Sequence, residues 1–158
     1  MRLSKAWTTH MPLLMRIVNL TNKPILELGA GLFSTPLLHW MCQEKNIKLV
    51  TYENIEEYLN FSKSFQSRNH SVRLIKDWNE VKAKRDWGVV FIDHDGDRAK
   101  SAIEFKDADY VILHDSESEK HYGYEKVWSH FKYRYDWTVV KPWTTVLSNK
   151  HDICTKIQ

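Results

Sequence analysis

The stretch Ile25-Leu26-Glu27-Leu28-Gly29-Ala30-Gly31-Leu32-Phe33-Ser34 decides the fold of this 158-residue chain. A short apolar run leads into two closely spaced glycines, which let a backbone turn tightly and approach its neighbours. Ser34 or Thr35 can cap a following helix, and Pro36 suits its first turn. The stretch therefore predicts a buried strand, a tight turn and a helix whose free N-terminal amides attract an anion.

The alternation of short apolar runs and helix-like stretches continues along the chain. The strands are predicted at residues 24–28, 48–53, 71–76, 87–92, 108–113, 134–140 and 144–148. The helices are predicted at residues 10–20, 35–45, 56–68, 97–105 and 124–131, with a short helix or turn at 79–84. Only Lys141-Pro142-Trp143 joins the last two strands, too short a link for a crossover helix, so they must be antiparallel. The pattern predicts an α/β fold: a Rossmann-like three-layer sandwich of about seven strands, mostly parallel, with an antiparallel C-terminal hairpin.

Composition indicates a globular protein, because 42% of the residues are hydrophobic and 13% are aromatic. We expect one domain over residues 1–158, with residues 1–22 as an N-terminal helical cover. The net charge of +3 is scattered, which does not favour nucleic acid as a partner. Cys42 and Cys154 have no metal-type spacing and form no disulfide framework. Without a long apolar run, the expectation is a cytoplasmic protein with no signal peptide and no membrane helix.

The glycine loop can hold either of two anions, the pyrophosphate of a dinucleotide or the carboxylate of the methionine moiety of S-adenosylmethionine. Ser34 stands where the third glycine of the dinucleotide fingerprint would be, and Glu27 could accept a hydrogen bond from a ligand ammonium. Both details favour S-adenosylmethionine, although a glycine turn with a buried capping acid stays open. The cofactor contacts predicted here are Glu27, Gly29, Ala30, Gly31, Ser34 and Thr35.

Two later strand ends add to this cofactor site. Glu53 and Asn54 end the second strand, where an acid typically accepts both ribose hydroxyls of a nucleotide. The other interpretation of Glu53 is an exposed cap of the next helix. Asp77 and Trp78 end the third strand, where Asp77 could accept from the adenine amine and Trp78 could stack on the ring. Equally, Trp78 could belong to the core and Asp77 could cap a helix.

Acids and histidines end the fourth and fifth strands. Asp93 and His94 follow one strand, and His114 and Asp115 lie at the end of the next. The carboxyl ends of parallel strands meet at one edge of the sheet, so these four side chains indicate a reaction centre beside the cofactor. The histidines can equally be hydrogen-bonded structural residues.

Residues 25–149 resemble a class I S-adenosylmethionine-dependent methyltransferase. Phe91-Ile92-Asp93-His94 followed by Asp97-Arg98 is similar to catechol O-methyltransferase-type enzymes. The resemblance implies that Glu53 binds the ribose, that His94 lies near the adenosyl group, and that Asp93 and Asp115 hold Mg²⁺, with Ser116 in place of a family asparagine. Two positions depart from that family: Gly96 replaces its catalytic lysine, and Asp95 replaces the tryptophan that packs on adenine.

The expected reaction is direct methyl transfer to an oxygen of a small-molecule or carbohydrate acceptor. The predicted groups for proton removal or acceptor binding are Asp93, His94, His114 and Asp115. Trp7 and His10 are expected to line the pocket, and a homodimer is compatible with the sequence. The alternatives are a Rossmann-like binding or accessory module without catalysis, and a nicotinamide-dependent oxidoreductase.

Overall fold

A single seven-stranded sheet forms the centre of the computed structural model, which describes residues 5–157. The strands are β1 Ile25–Leu28, β2 Leu49–Glu53, β3 His70–Leu74, β4 Val89–Ile92, β5 Tyr110–His114, β6 Tyr133–Trp137 and β7 Thr144–Ser148. Their order is β3-β2-β1-β4-β5-β7-β6, with the first five parallel. Strand β7 lies antiparallel between β5 and β6, which confirms the predicted C-terminal hairpin.

The helices are α1 Met11–Asn19, α2 Ser34–Glu44, α3 Glu56–Lys63, α4 Arg98–Glu104 and α5 Glu119–Tyr122. Short 3-10 turns occupy Lys5–Thr8, Trp78–Glu80, Tyr124–Lys126 and Trp128–His130. Among the described helices, none has the length and apolar character needed to span a bilayer. In the described part, the N-terminal segment consists of the first 3-10 turn and α1.

The strands bury both faces, as parallel strands flanked by helices do. Leu26 and Leu28 of β1 face one apolar layer, which includes Ala102 of α4. Ile25, their neighbour on the same strand, faces the other layer, formed largely by α1 and α2. Because alternate residues of each strand point to opposite faces, the short all-apolar runs read from the sequence build two cores at once. The predicted three-layer architecture is confirmed.

The segment after β5 departs from its prediction. The expected helix over residues 124–131 is wrong, because two separate 3-10 turns stand there. Gly123 adopts a left-handed conformation with φ of 69° and ends α5. The Tyr124 hydroxyl then donates to the carbonyl oxygen of His114 at 3.1 Å, which holds this segment against the sheet. The predicted strand over 134–140 also ends early, at Trp137, and Val139 is 76% exposed.

Candidate functional site

The glycine loop between β1 and α2 lies directly against the end of β4. Gly29 has φ of 92°, and a Cβ placed on it would lie 2.6 Å from the carbonyl oxygen of Asp93. Neither that conformation nor that spacing accepts a side chain. Glycine at this position therefore allows the ends of β1 and β4 to meet and forms part of the wall of a cavity.

This cavity, of about 470 Å³, opens where the strand order reverses between β1 and β4. Open α/β sheets bind their ligands at this point, beyond the carboxyl ends of the strands. Trp7 and His10 of the N-terminal segment line it, as expected from the sequence. The other predicted site residues in its wall are Gly29, Ala30, Gly31, Ser34, Glu53, Asn54, Asp93, His94, His114 and Asp115.

Glu27 and Thr35, two of the predicted cofactor contacts, lie beneath the loop rather than in the cavity wall. The fully buried Glu27 carboxylate accepts hydrogen bonds from Thr51 Oγ1 at 2.7 Å and Thr35 Oγ1 at 3.0 Å. Thr35 Oγ1 in turn accepts from the amide of Gly31 at 3.0 Å. Burial raises the pKa of Glu27 to about 7, against the effect of these hydrogen bonds. The two residues support the loop from the side of the sheet.

Glu53 stands at the end of β2, on the opposite side of the loop from Glu27, and it does line the cavity. Its Oε2 accepts from the amide of Ala30 at 2.7 Å, and its Oε1 accepts from the amides of Asn54 and Ile55, each at 2.7 Å. Burial raises its pKa, and the three amides oppose that shift by stabilising the charged form. A carboxylate is thus held in fixed orientation beside the glycine loop.

Asp77 and Trp78 lie outside the wall of the large cavity and line a smaller one of about 200 Å³. The Trp78 ring stacks on His94 with 4.2 Å between centroids, and its Nε1 donates to Asp95 at 3.1 Å. Asp77 caps the following 3-10 turn by accepting from the amide of Asn79. Their positions match the capping and packing interpretation: Asp77 caps a turn, and Trp78 contacts the cavity residues His94 and Asp95.

Four charged groups form one cluster at the ends of β4 and β5: Asp93, Arg98, His114 and Asp115. Arg98 Nη2 lies 3.0 Å from Asp93 Oδ1, and its Nη1 lies 3.1 Å from Asp115 Oδ2. The guanidinium also lies 4.1 Å from the ring centre of Tyr122. Burial acts to raise the pKa of Asp93, but the hydrogen bond and charge of His114 and the charge of Arg98 lower it overall. Asp93 is therefore held as a carboxylate by the neighbouring cations.

The contacts of His114 define its protonation state. Its Nδ1 lies 3.3 Å from Asp93 Oδ2, and a carboxylate can only accept. Its Nε2 lies 3.1 Å from Thr9 Oγ1, and that hydroxyl donates its own proton to the carbonyl of Pro142 at 2.7 Å. Both ring nitrogens must therefore donate, which makes His114 an imidazolium. Consistently, its pKa is raised: burial acts to lower it, but Asp93 and Asp115 outweigh that effect.

His94 lines the cavity but has both ring nitrogens engaged. Its Nδ1 accepts from the amide of Gly96 at 3.0 Å, and its Nε2 lies 2.9 Å from Ser101 Oγ. Burial, followed by the charge of Arg98, lowers its pKa to about 4. The ring is therefore neutral, with its proton on Nε2, and it fixes the loop after β4 rather than presenting a free lone pair.

His10, which precedes α1, differs from both of these histidines. Its side chain is 2% exposed, and neither ring nitrogen has a hydrogen-bond partner in the part of the chain that the structure describes. The ring lies edge-on to His114 at 4.8 Å and close to Phe91. Burial, and then the charge of His114, lowers its pKa to about 4, so the ring is neutral.

The Mg²⁺ that the resemblance placed between Asp93 and Asp115 does not fit this arrangement. The guanidinium of Arg98 already occupies one oxygen of each carboxylate and supplies the positive charge between them. Ser116, at the third ligand position, is outside the cavity wall. No role was predicted for Arg98 from the sequence. Its position at the start of α4, from which the side chain reaches the ends of β4 and β5, is the feature that could have indicated one.

No protein-family model matches the chain, and no curated protein matches its sequence. Its fold does match solved structures. A spermidine synthase in complex with the transition-state analogue AdoDATO is 14% identical with a TM-score of 0.75, covering 96% of this chain and 64% of that one. Spermidine synthase from Thermotoga maritima is 12% identical with a TM-score of 0.69, covering 98% of this chain and 63% of that one. This chain thus spans less than two thirds of the length of either synthase.

A methyltransferase of more similar length matches as well. The S-adenosylhomocysteine-bound Podospora anserina methyltransferase PaMTH1 is 12% identical with a TM-score of 0.62, covering 94% of this chain and 89% of that one. Identities this low carry the fold and not the activity. The strand order, the terminal antiparallel pair and these matches agree on one architecture. The chain has the class I methyltransferase fold.

Proposed function

We propose that the chain is an S-adenosylmethionine-dependent methyltransferase that acts on an oxygen of a small molecule or carbohydrate. The observation that carries this proposal is the Glu53 carboxylate, oriented by three backbone amides at the edge of the cavity and directly beside the glycine loop. A carboxylate in that position suits the paired hydroxyls of a ribose. The likeness of the fold to that of PaMTH1, which was solved with S-adenosylhomocysteine, supports the same choice of cofactor.

The cofactor end of the cavity has a donor side and an acceptor side. The amides of Gly29, Ala30 and Gly31 are bonded to other parts of the protein. The amides that would meet the carboxylate of the methionine moiety are therefore those of residues 32–34, which line the cavity where the chain enters α2. Glu53 offers oxygen acceptors to the ribose. Asn54 is tied to Asp95 by a 3.1 Å hydrogen bond, and Asp95 also accepts from Trp78. This link joins the ends of β2, β3 and β4 beside the adenosyl group, which His94 would contact.

The transfer end of the cavity is the charged cluster. The bound cofactor supplies a methyl group already activated on a sulfonium sulfur, so the protein has to align an acceptor and accept one proton. Arg98 contacts both Asp93 and Asp115, and the oxygens of these two side chains would accept a hydrogen bond from an acceptor hydroxyl. Among the four predicted groups, His94 has a positioning role because both of its nitrogens are engaged.

Two binding measurements test the proposal. Calorimetry should detect S-adenosylhomocysteine binding at millimolar affinity or tighter, and Glu53→Gln should weaken it by about 10- to 100-fold, as expected for the loss of a hydrogen bond to a charged group. Glu57→Gln, on the exposed face of α3, is the matched control and should bind like the wild type. Absence of binding, or unchanged affinity in a folded Glu53→Gln protein, would contradict the ribose assignment.

An acceptor screen separates catalysis from binding. Transfer of labelled methyl groups to a panel of hydroxyl-bearing small molecules and sugars is the expected result. Cofactor binding without transfer to any of them would favour the alternative of an accessory module. A fluorescence change with NAD(H), and none with S-adenosylhomocysteine, would favour the nicotinamide oxidoreductase.

A further inference from the structure

We propose that His10, Asp93 and His114 form a binding site for one divalent transition-metal ion of the Zn²⁺ class. Each residue offers one ligand atom, and these atoms lie within 4.8 Å of one another. The residues come from three separate parts of the fold: the segment before α1, the end of β4 and the end of β5. Two imidazoles and one carboxylate are a donor set that Zn²⁺ and its neighbours accept, and one that Mg²⁺ does not prefer.

The state of His10 is the first argument for an ion. A buried imidazole without a hydrogen bond is costly, because its nitrogens have lost water and gained nothing in exchange. Both nitrogens of His10 are in this position, at 2% exposure, although the ring lines the cavity beside Asp93 and His114. An ion bound by these residues would give one nitrogen of His10 a partner that none of residues 5–157 provides.

The partners of the other two ligands are the second argument. His114 Nε2 is directed by Thr9 Oγ1, which is itself fixed by the carbonyl of Pro142. Asp93 Oδ1 is held by Arg98 Nη2. Metal-binding histidines and carboxylates are typically oriented in this way through the atom that does not bind the metal. The atoms left over are His114 Nδ1 and Asp93 Oδ2, which face each other at 3.3 Å.

That separation suits two ligands of one ion, since bonds of about 2.0–2.1 Å at a tetrahedral angle place ligand atoms about 3.4 Å apart. Binding would replace the proton that His114 Nδ1 donates to Asp93, so one proton leaves for each ion bound. Arg98 contacts Oδ1 of Asp93, so Oδ2 is left for the ion once the proton on His114 Nδ1 has gone.

Three protein ligands leave a fourth position of a tetrahedral site, and all three ligands line the cavity. Zinc sites with an open position bind water or substrate there and lower the pKa of the bound oxygen group. In this protein the open position would receive the acceptor hydroxyl. Only this role rests on the proposed function, because binding of the ion requires no cofactor.

The experiment uses the full chain, stripped of metal with a chelator and studied without S-adenosylmethionine. Titration with Co²⁺ should give visible absorption bands that saturate at one ion per chain. Zn²⁺ calorimetry in two buffers of different ionisation enthalpy should show release of about one proton. His10→Ala should weaken binding by about 100-fold or more, and Thr9→Val by about 10- to 100-fold.

His121→Ala is the matched control, because His121 lines the same cavity outside the cluster and should leave affinity unchanged. Circular dichroism establishes whether each variant is folded. If His10→Ala does not fold, Thr9→Val provides the test, because it keeps all three ligands. No Co²⁺ binding to the wild type, or equal binding by wild type and both variants, overturns the proposal. Metal binding without S-adenosylhomocysteine binding would contradict only the proposed function. Binding of S-adenosylhomocysteine without metal binding would contradict only the metal site.

Discussion

Glu27 is predicted to make the stability of this protein depend on pH in the neutral range. Its carboxyl group is fully buried, and burial raises its pKa from 4.5 to about 7. A pKa that is higher in the folded than in the unfolded state gives stability that is complete below the unfolded value and lost as pH rises through the folded value. Between pH 6 and pH 8 the group should therefore cost the native state about 1.3 kcal/mol.

Glu27→Gln isolates this contribution, because glutamine has the same shape and does not titrate. The free energy of unfolding of both proteins is measured by guanidinium denaturation at pH 6, 7 and 8, followed by circular dichroism. The difference between wild type and Glu27→Gln should shift by about 1.3 kcal/mol over this range in favour of the variant at high pH. Contributions from all other groups cancel in the difference.

Two further variants sharpen this test. Glu44→Gln, at the exposed end of α2, should follow the wild-type pH dependence. Thr51→Val removes the 2.7 Å hydrogen bond that stabilises the charged carboxylate, so the pKa of Glu27 should rise and the loss of stability should continue to higher pH. If wild type and Glu27→Gln show parallel pH profiles, Glu27 does not titrate between pH 6 and 8 and the reasoning is refuted.

Two further predictions concern the close approach at Gly29 and the buried histidine of β3, His70. Gly29→Ala should lower the free energy of unfolding by at least about 2 kcal/mol, because its Cβ would meet the Asp93 carbonyl at 2.6 Å. Gly123→Ala, with φ of 69° but its nearest contact at 3.6 Å, should lose only about 1 kcal/mol in the same denaturation assay, and equal losses would contradict the close approach. Burial, and then the charge of His39, lowers the pKa of His70 to about 4, so stability present above pH 6.5 is lost as pH falls towards 4. Between pH 7 and pH 5, the free energy of unfolding of His70→Gln should fall by about 1.8 kcal/mol less than that of the wild type. His130→Gln, which changes an exposed histidine, should lose as much as the wild type. Identical pH profiles for all three proteins would contradict the assignment of this loss to His70.

The sequence predicted the sheet well because its central strands are buried on both faces. A strand such as Val89–Ile92 is then a short apolar run with clearly defined ends. The glycine turn marks the end of β1 in the same way. The region after β5 was predicted poorly. Its turns depend on a left-handed Gly123 and on a hydrogen bond from Tyr124 to a strand ten residues earlier in the chain, and neither follows from local periodicity.

The residue types of the candidate site were also visible in the sequence, but their contacts were not. Asp93 and His94 are adjacent in the chain, yet the structure gives them different surroundings. Asp93 faces Arg98 and His114, whereas His94 turns to Gly96 and Ser101. Such assignments depend on side-chain directions after the strands have ended, where the two-residue period of the strand no longer applies.

Two acids lie beside the glycine loop, Glu27 and Glu53, and their hydrogen-bond partners differ in kind. Glu27 lies outside the cavity wall, and the side-chain hydroxyls of Thr35 and Thr51 donate to its oxygens. Glu53 lies on the cavity side, held through backbone amides that exist whatever the side chains around it. Acceptors fixed by backbone amides keep their orientation when a ligand arrives, so a ribose would meet an oriented carboxylate. Under the proposed function, Glu53 is therefore the acid that would meet the cofactor, and Glu27 is the acid that supports the loop from below.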